Sequence, residues 1–596
     1  MKQYLTKSDY TRWIACQRAA YYGWQGHRSK NEDDPFLNFL AEEGKTVGRI
    51  AQRLFKEATT VNALRIEEAV ASTKEMLSQG DCTLFEACLT HESFVARPDI
   101  LIRKGDTLYL IEVKSKLGNL RQHREGTMLI NYYGDVRAAF REILYDLVFQ
   151  VEVVRRAYPN LVVIPHFLLP EENSLSCEDE VWVARQVEAT PAFHDDEAAL
   201  KTIRAESVLK FFVADVAVEK VREVVAAEMN AMAETWRSGR RPEPKLKYGC
   251  RNCEYRLKGE GCQTDGFHQC WGKLAEPSPH LFDLHQLYQL KAQENKQALL
   301  ADQKILLGET LMFDVREDEL HGEHAKRQRL QLVHQRSGTE WIDPQLGEEI
   351  AGLSWPIAFV DFETTMAAIP WHPRLKPYET LPFQFSAHIL HEDGKFEHRE
   401  WLNTQDRVPT LSFIRELRAA LADFGSVLVY TDYENRILSE AIGLLNRLHR
   451  DESGEEREWI ADLLNSERIV DQHDWVYKYY FHPLMSGRTS IKVVLPAVWE
   501  NNPCLHQHEY FRRYYAERGD KILDPYKTLP EAQIEGVPMV VREGCGAMKI
   551  YREMILGQGA QCTEAKEKLA ALLRNYVTLD TASQWMIFEH WRQRLS

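Results

Sequence analysis

The spacing of hydrophobic residues changes twice within the first third of the chain. Apolar residues recur at helical spacing near the N-terminus, alternate with polar residues around Gly105, and then return to helical spacing. The tripeptide Lys104-Gly105-Asp106 separates two alternating runs, which predicts a β-hairpin. This order of elements predicts an α/β fold. Helices are expected at 1–30, 39–57 and 134–158, and strands at 93–102, 107–115 and 161–169.

Further along, a helix is predicted at 205–237, a break at 241–245 and a polar, mostly helical stretch at 280–350. The tripeptide Ser354-Trp355-Pro356 ends this stretch, and a second group of apolar strands follows. Helices are expected from there to the end of the chain. The strands of this second group are expected at 357–364, 383–390 and 426–432.

A chain of 596 residues is too long for one hydrophobic core. We predict an α/β domain at 1–275, a mostly helical connector at 276–354 and a second α/β domain at 355–596. The content of 44% hydrophobic and 27% charged residues is that of an ordinary globular protein. The sequence has no run of eighteen apolar residues and begins without the apolar core of a signal peptide. It therefore favours a cytoplasmic protein with no membrane partner.

The net charge of −15 is unfavourable for nucleic-acid binding, although a local basic path is sufficient to contact phosphates. One candidate path begins at Arg237, and a solvated charged segment explains it equally well. Its cations are Arg237, Arg240, Arg241, Lys245, Lys247, Arg251, Arg256 and Lys258.

Two acids and a lysine occur on the predicted hairpin. Glu112 and Lys114 point to the same face because side chains alternate along a strand, and Asp99 lies on the partner strand. Two carboxylates supply the oxygen ligands that Mg²⁺ or Mn²⁺ prefers, and such a metal activates water for attack on phosphate. A surface hairpin with salt-bridged charges is the alternative, but the apolar runs around both acids favour a site.

The motif Pro98-Asp99 with Glu112-Val113-Lys114 resembles the PD-(D/E)xK nucleases, and within them the RecB-like branch. The resemblance implies a restriction-endonuclease-like N-terminal domain. It also implies that the aspartate, the glutamate and the lysine are catalytic and that the two acids bind the metal.

Two further positions bear on this resemblance. Gln150 matches the glutamine-bearing helix of the RecB-like branch, which implies a catalytic role for it. Gly48 stands where the family often has a metal-binding histidine, and Glu43 is the nearby acid. A fourth metal ligand is therefore not assigned.

Four of the eleven cysteines lie between Cys250 and Cys270, and Cys16 lies near the N-terminus. Clustered cysteines in a reducing cytosol indicate metal or cluster ligation rather than disulfides. The pair Cys250 and Cys253 forms a CxxC clip, which Cys262 and Cys270 follow. Four thiolates bind either Zn²⁺ or an iron–sulfur cluster, and buried free thiols are the alternative.

One cysteine before the nuclease core and three after it resembles the iron–sulfur RecB-like exonucleases of the CRISPR-associated and AddB types. The resemblance implies that Cys16, Cys250, Cys253 and Cys270 bind a [4Fe–4S] cluster, with Zn²⁺ as the alternative cofactor. Aromatic neighbours favour Cys270 as the last ligand, and Cys262 is the alternative.

A second acidic pair, Asp361 and Glu363, lies on one face of the predicted strand at 357–364. Two buried carboxylates repel each other unless a cation lies between them, so the pair indicates a metal site. Two-metal hydrolysis requires more acids. Glu434 and Asp580 are the candidates, with Asp432 as a rival to Glu434.

These acids resemble the motifs of the DEDD exonucleases, which have an RNase H-like fold. The resemblance implies that Asp361, Glu363, Glu434 and Asp580 bind two metals, and that Tyr576 orients the attacking water. A glutamate at position 434 replaces the more usual aspartate.

Residues 355–590 also resemble a bacterial family known as a domain of unknown function with an RNase H-like nuclease interpretation. Within this region Asp471, His482, Arg488 and Lys492 are candidates to lie near the site, although surface or capping roles are favoured for each. Arg488 and Lys492 are candidate phosphate contacts.

These patterns favour a metal-dependent nuclease with two hydrolytic sites, acting on nucleic acid and preferentially on DNA, in DNA repair, mobile-element biology or phage defence. No P-loop motif occurs, so unwinding would require a helicase or another subunit. A nucleic-acid-binding scaffold with one inactive site is the alternative, supported by Gly48 and Glu434. A phosphodiesterase acting on nucleotides is a third hypothesis.

Overall fold

The computed structural model describes residues 3–55, 57–189, 206–257, 265–293 and 295–595, excepting the side chains of 186–189. These residues form a mixed α/β structure, so the predicted α/β class is confirmed. The chain forms two compact units: Met1–Trp271 with Ala367–Glu379, and Gly272–Met366 with Thr380–Ser596. The domain boundaries expected at 275 and 354 stay predictions.

Eight strands belong to the first unit: β1 (Thr59–Thr60), β2 (Cys82–Phe85), β3 (Leu89–His91), β4 (Phe94–Ala96), β5 (Ile100–Lys104), β6 (Thr107–Val113), β7 (Val162–Pro170) and β8 (Leu209–Val213). Six of them form a mixed sheet in the order β1-β2-β5-β6-β7-β8, and β3 pairs with β4. Strands β5 and β6 are the predicted hairpin, and β6 runs parallel to β7. The turn at Gly105 has a positive φ of 57°, which glycine adopts without strain.

One long helix, Ala138–Ala157, packs against β7 and against the small sheet. Its Leu144, Leu147, Val148 and Val151 are buried, as their spacing predicts. The helices of this unit are Lys7–Ala15, Gln17–Trp24, Pro35–Arg53, Ile66–Ser78, Leu120–Arg124, Ala138–Ala157, Glu178–Ala189, Asp215–Ser238 and Gly266–Trp271.

Three expectations for the first unit need correction. The strand expected at 93–102 is interrupted between β4 and β5 around Pro98, which has no N–H to donate to a neighbouring strand. The helix expected at 1–30 is two helices separated by Cys16, whose backbone is extended. The helix expected at 205–237 begins at Asp215, because the apolar residues before it form β8 at the edge of the sheet.

The second unit contains a five-stranded sheet and three small pairs of strands. Its strands are β9 (Trp341–Ile342), β10 (Ile357–Thr365), β11 (Leu381–Leu390), β12 (Phe396–Leu402), β13 (Ser426–Val429), β14 (Ile469–Asp471), β15 (Tyr480–Phe481), β16 (Glu517–Arg518), β17 (Lys521–Ile522), β18 (Ala532–Ile534) and β19 (Val537–Met539). The large sheet has the order β12-β11-β10-β13-β14, with β10 antiparallel to β11 and parallel to β13. Strand β10 is therefore central.

The C-terminal helix Thr563–Leu595 lies against this sheet. Gln584 donates a hydrogen bond to the carbonyl of Val360 at 3.0 Å, and the hydroxyls of Thr581 and Ser386 are 2.7 Å apart. These buried bonds fix the helix against β10 and β11. The helices of this unit are Leu300–Leu306, Ala325–Ser337, Gln345–Ala351, Thr410–Ala420, Tyr433–Leu448, Gly454–Asn465, Gln472–Tyr479, Ile491–Asn501, Pro503–Gln507, Gly544–Leu556, Gln558–Gln561 and Thr563–Leu595.

Two expectations for the second unit need refinement. In the stretch 280–350, α-helices alternate with short 3₁₀ turns, and Gly308 and Gly338 adopt positive φ angles just after the helices Leu300–Leu306 and Ala325–Ser337. The region after 432 is not purely helical, since β14 completes the large sheet and two small hairpins follow it. No helix in the described part of the chain is both long enough and apolar enough to cross a membrane.

Candidate functional site

Asp99 and Glu112 lie next to each other where the hairpin meets the core of the first unit. Ile100 pairs with Ile111, so the next position along the ladder brings the two acids together. The backbone N–H of Val113 donates to Asp99 Oδ2 at 2.7 Å, which orients that carboxylate. The Glu112 side chain is buried, so its charge requires nearby compensation.

That compensation comes from three side chains. Lys114 Nζ is 3.0 Å from Glu112 Oε1, and Lys7 contacts the same oxygen. Gln150 donates to Glu112 Oε2 at 2.5 Å. The predicted residues Asp99, Glu112, Lys114 and Gln150 are thus brought together.

Electrostatics separates the two acids of this site. Burial, reinforced by the neighbouring Glu112, raises the pKa of Asp99 to about 7. Burial also opposes ionisation of Glu112, but Lys7 and Lys114 outweigh it and lower the pKa of Glu112. Glu112 therefore ionises at a lower pH than Asp99.

Lys7 and Asp146 are parts of this site that sequence reasoning missed. Lys114 Nζ is 3.0 Å from Asp146 Oδ2, and Thr11 donates to the other oxygen of Asp146 at 2.7 Å. Asp146 lies four residues before Gln150 on the same helix, and that spacing was an available signal. Lys7 is 105 positions from Glu112, and no local pattern connects them.

Gly48 replaces the histidine of the family pattern, and Glu43 is the acid near it. Glu43 is buried and accepts a hydrogen bond from the backbone N–H of Ala368 at 2.8 Å. A Cβ atom placed on Gly48 would meet no other atom within 4 Å, so packing does not require a glycine there.

The thiols of Cys16, Cys250, Cys253 and Cys270 line one small cavity in the first unit. Tyr22 Oη is 3.4 Å from Cys270 Sγ, and Phe267 and Trp271 complete the wall. Burial raises the pKa of Cys253 to about 12 and raises those of Cys250 and Cys270 as well. A cation is needed to hold such thiols as thiolates. Cys262, the alternative fourth ligand, lies outside the described residues.

The second acidic site is built on the central strand of the second unit. Asp361 and Glu363 project from the same face of β10, while Val360 and Phe362 pack into the core on the other. Carboxylate oxygens of Asp361, Glu363 and Asp580 all lie within 4.8 Å of one another. Asp580 comes from the C-terminal helix, one turn after Tyr576.

The two candidates for the middle acid, Glu434 and Asp432, have different surroundings. Glu434 is buried in the first turn of helix Tyr433–Leu448, whereas its rival Asp432 is exposed. The Oε2 atom of Glu434 is buried, and no donor among the residues that the structure describes reaches it. Burial, followed by the charges of Asp471 and Asp432, raises the pKa of Glu434 to about 8.

The ionised forms of the two carboxyls on β10 are also destabilised. Burial and then the neighbouring Asp580 raise the pKa of both Asp361 and Glu363 well above the usual range, and Lys492 partly opposes this. Buried acids that repel one another stabilise a bound cation, because the cation removes the repulsion.

Two residues contact Asp580, one of which, Lys492, was a candidate from the sequence. Lys492 Nζ is 3.2 Å from Asp580 Oδ1 and 2.9 Å from Tyr576 Oη. Tyr526, which the sequence did not indicate, is buried and donates its hydroxyl hydrogen to Asp580 Oδ1.

The other residues considered near this site have different roles. Asp471 caps a helix and accepts hydrogen bonds from the N–H groups of Thr431 and His473 at 2.9 and 2.8 Å. His482 caps a 3₁₀ turn through the N–H of Leu484. Arg488 is exposed.

Two arginines of the basic path that begins at Arg237 have partners on the protein surface. Arg237 donates to Glu92 at 3.0 Å, and Arg241 donates to Gln269 at 3.2 Å. These contacts agree with a solvated segment for part of the path, and Lys258 lies outside the described residues.

Comparison with known proteins gives one family match. The sequence model of the family described as Domain of unknown function (DUF2779) matches residues 358–490, which include Asp361, Glu363 and Glu434. The search of curated proteins found no match. The search of solved structures also found none. The matched segment therefore places strand β10 and Glu434 in a region similar to a family whose function its description leaves open.

Proposed function

We propose that the chain is a metal-dependent nuclease with one hydrolytic site in each unit. The observation that carries the proposal is the group of three carboxylates, Asp361, Glu363 and Asp580, within 4.8 Å on two buried elements. Hydrophobic packing does not favour such a group, whereas metal-assisted hydrolysis of phosphodiesters uses carboxylates of this kind to hold the cation.

The residues of the second site suit a divalent cation. They offer hard oxygen ligands, and the buried Oε2 of Glu434, which has no hydrogen-bond partner in the described part of the chain, adds an acceptor beside them. A cation held by Asp361, Glu363 and Asp580 would polarise a phosphate oxygen and lower the pKa of a bound water. Tyr576 would orient that water with its hydroxyl group. This arrangement on the central strand of the five-stranded sheet supports the RNase H-like, DEDD interpretation and a 3′–5′ exonuclease activity.

The first site suits a cation less completely. Asp99 and Glu112 are adjacent, but the ammonium of Lys7 contacts Glu112 Oε1, one of the oxygens that could serve a metal. When a metal binds, the Lys7 ammonium would therefore either leave the Glu112 carboxylate or contact it together with the metal. Lys114, held between Glu112 and Asp146, would stabilise negative charge on the phosphate. The hairpin with its acids supports the restriction-endonuclease-like, RecB-like interpretation.

The cysteine cluster is proposed to hold a [4Fe–4S] cluster, with Zn²⁺ as the alternative. The support is the common cavity lined by Cys16, Cys250, Cys253 and Cys270. When bound, either group would fix the start of the chain to the segment after the nuclease core. A brown protein that absorbs near 400 nm (roughly, for clusters of this class) would indicate iron–sulfur, whereas a colourless protein with bound zinc would indicate the alternative.

The proposed substrate is nucleic acid, with DNA favoured, and a helicase or another subunit would supply any unwinding. Separate Asp99→Ala and Asp361→Ala variants test the two sites on labelled single strands with Mn²⁺. The exposed residues Asp33 and Asp474, each in a surface ion pair, give matched alanine controls for the two units. If neither site variant changes cleavage while the wild type cleaves, the assignment of both sites is wrong. If the wild type binds strands without cleaving them, the scaffold alternative is correct.

A further inference from the structure

We propose that Lys492 is a resident cation of the second site, so that the site binds one divalent cation rather than two. The inference rests on the proposed function of that site. The family resemblance implies a pair of metals, whereas the side chains in this chain provide for one metal and one ammonium group.

The first step is the position of the ammonium group. Lys492 Nζ lies 3.9 Å from the ring centre of Tyr526 and 4.5 Å from that of Tyr576. It also donates hydrogen bonds to Tyr576 Oη and to Asp580 Oδ1. Two aromatic faces and a carboxylate form a cage for a cation, and cation–π attraction adds to the ion pair. This is a fixed charge, unlike that of a surface lysine.

The second step is the place of Lys492 in the chain. It lies in the first turn of helix Ile491–Asn501, where the helix dipole disfavours a positive charge. The local helix therefore gives no reason for a lysine at this position. The reason is found in the acidic site that it contacts.

The third step is a charge balance. Asp361, Glu363 and Asp580 carry three negative charges when ionised, and one divalent cation with Lys492 supplies three positive charges. A second divalent cation would give five positive charges against four carboxylates with Glu434 included, before substrate arrives. Glu434 lies outside the group of three within 4.8 Å, so a second complete ligand set is not formed by the described residues.

The test counts metal ions rather than activity. Mn²⁺ bound per chain is measured by equilibrium dialysis with metal analysis, for the wild type and for Asp361→Asn. Because the first site is common to both, the difference counts the ions of the second site. We expect a difference of one. A difference of two would overturn the inference.

The lysine itself is tested with Lys492→Met. Removal of a positive charge that contacts the ligand Asp580 is expected to tighten Mn²⁺ binding at the second site about tenfold, because that charge would repel the cation. Lys478→Met, which breaks an exposed ion pair with Asp474 in the same unit, is the matched control and should not change the affinity. Lys492→Arg retains the charge and should bind Mn²⁺ as the wild type does. Equal affinities in Lys492→Met and the control would overturn the inference.

Failure of the proposed function has a different signature. If Asp361→Asn loses no Mn²⁺ and cleaves strands as the wild type does, the second site is not a nuclease and the inference falls with it. If Asp361→Asn abolishes cleavage and also loses two ions, the nuclease assignment stands and only the role of Lys492 is wrong.

Discussion

Replacement of Glu434 by glutamine tests whether the second site is electrostatically strained when no cation is bound. Burial raises the pKa of Glu434 from 4.5 to about 8. Between these values the folded protein keeps a proton that the unfolded chain releases, so the free energy of unfolding falls as the pH rises. At about 1.4 kcal/mol per pH unit, the loss across this interval is on the order of 5 kcal/mol. Glutamine does not titrate and avoids the loss.

Urea unfolding in EDTA, followed from pH 4.5 to pH 9, measures this effect. We expect Glu434→Gln to lose less stability with rising pH than the wild type, by several kcal/mol at the alkaline end. Glu440→Gln on the same helix is the control, because Glu440 is exposed and paired with Arg436 at 3.1 Å. It should follow the wild type. Excess Mn²⁺ should reverse the order, since a cation stabilises the wild-type carboxylate.

The change of the unfolding free energy with pH, compared between Glu434→Gln and the wild type, decides whether the reasoning holds. If Glu434→Gln shows the same loss of stability with pH as the wild type and the control, Glu434 is ionised without cost in the folded protein. The description of a strained acidic site would then be wrong for its middle acid.

Three further predictions follow. Removal of the Tyr576 hydroxyl in Tyr576→Phe should lower kcat for exonucleolytic cleavage about 100-fold with little change in KM, because the attacking water would lose its orienting group. An unchanged kcat in steady-state kinetics would exclude that role. Cys253→Ser should remove the visible absorption of anaerobically purified protein, whereas Cys504→Ser, at an exposed cysteine, should leave it unchanged; loss in both would point to general instability. Because Asp99 has a pKa of about 7, Mn²⁺ binding to the first site should release a proton below pH 7 and strengthen as the pH rises. Calorimetry in two buffers of different ionisation enthalpy measures the proton release. Mn²⁺ binding without proton release at pH 6 would contradict the prediction.

The elements that carry the sites could be predicted where a repeating pattern exists. Alternation predicts the hairpin, and with it the proximity of Asp99 and Glu112. The same rule places Asp361 and Glu363 on one face of β10. Helical spacing correctly links Tyr576 to Asp580.

Other features depend on tertiary contacts that no local pattern records. Lys7 reaches Glu112 from the first helix, and Tyr526 reaches Asp580 from a 3₁₀ turn 54 positions earlier. Strand β8 resembles the start of the following helix, because short apolar runs suit either element and the sheet edge decides between them. The break at Pro98 was available from the sequence, since proline cannot donate in the ladder.

The central claim is that the two acidic sites hydrolyse nucleic acid with the help of divalent cations. The most direct test incubates end-labelled single-stranded DNA with the wild type and with the Asp99→Ala, Asp361→Ala double variant, in Mn²⁺ and in EDTA. The account predicts cleavage by the wild type in Mn²⁺ alone and none by the double variant. Equal cleavage by the two proteins, or cleavage by the wild type that persists in EDTA, would contradict it.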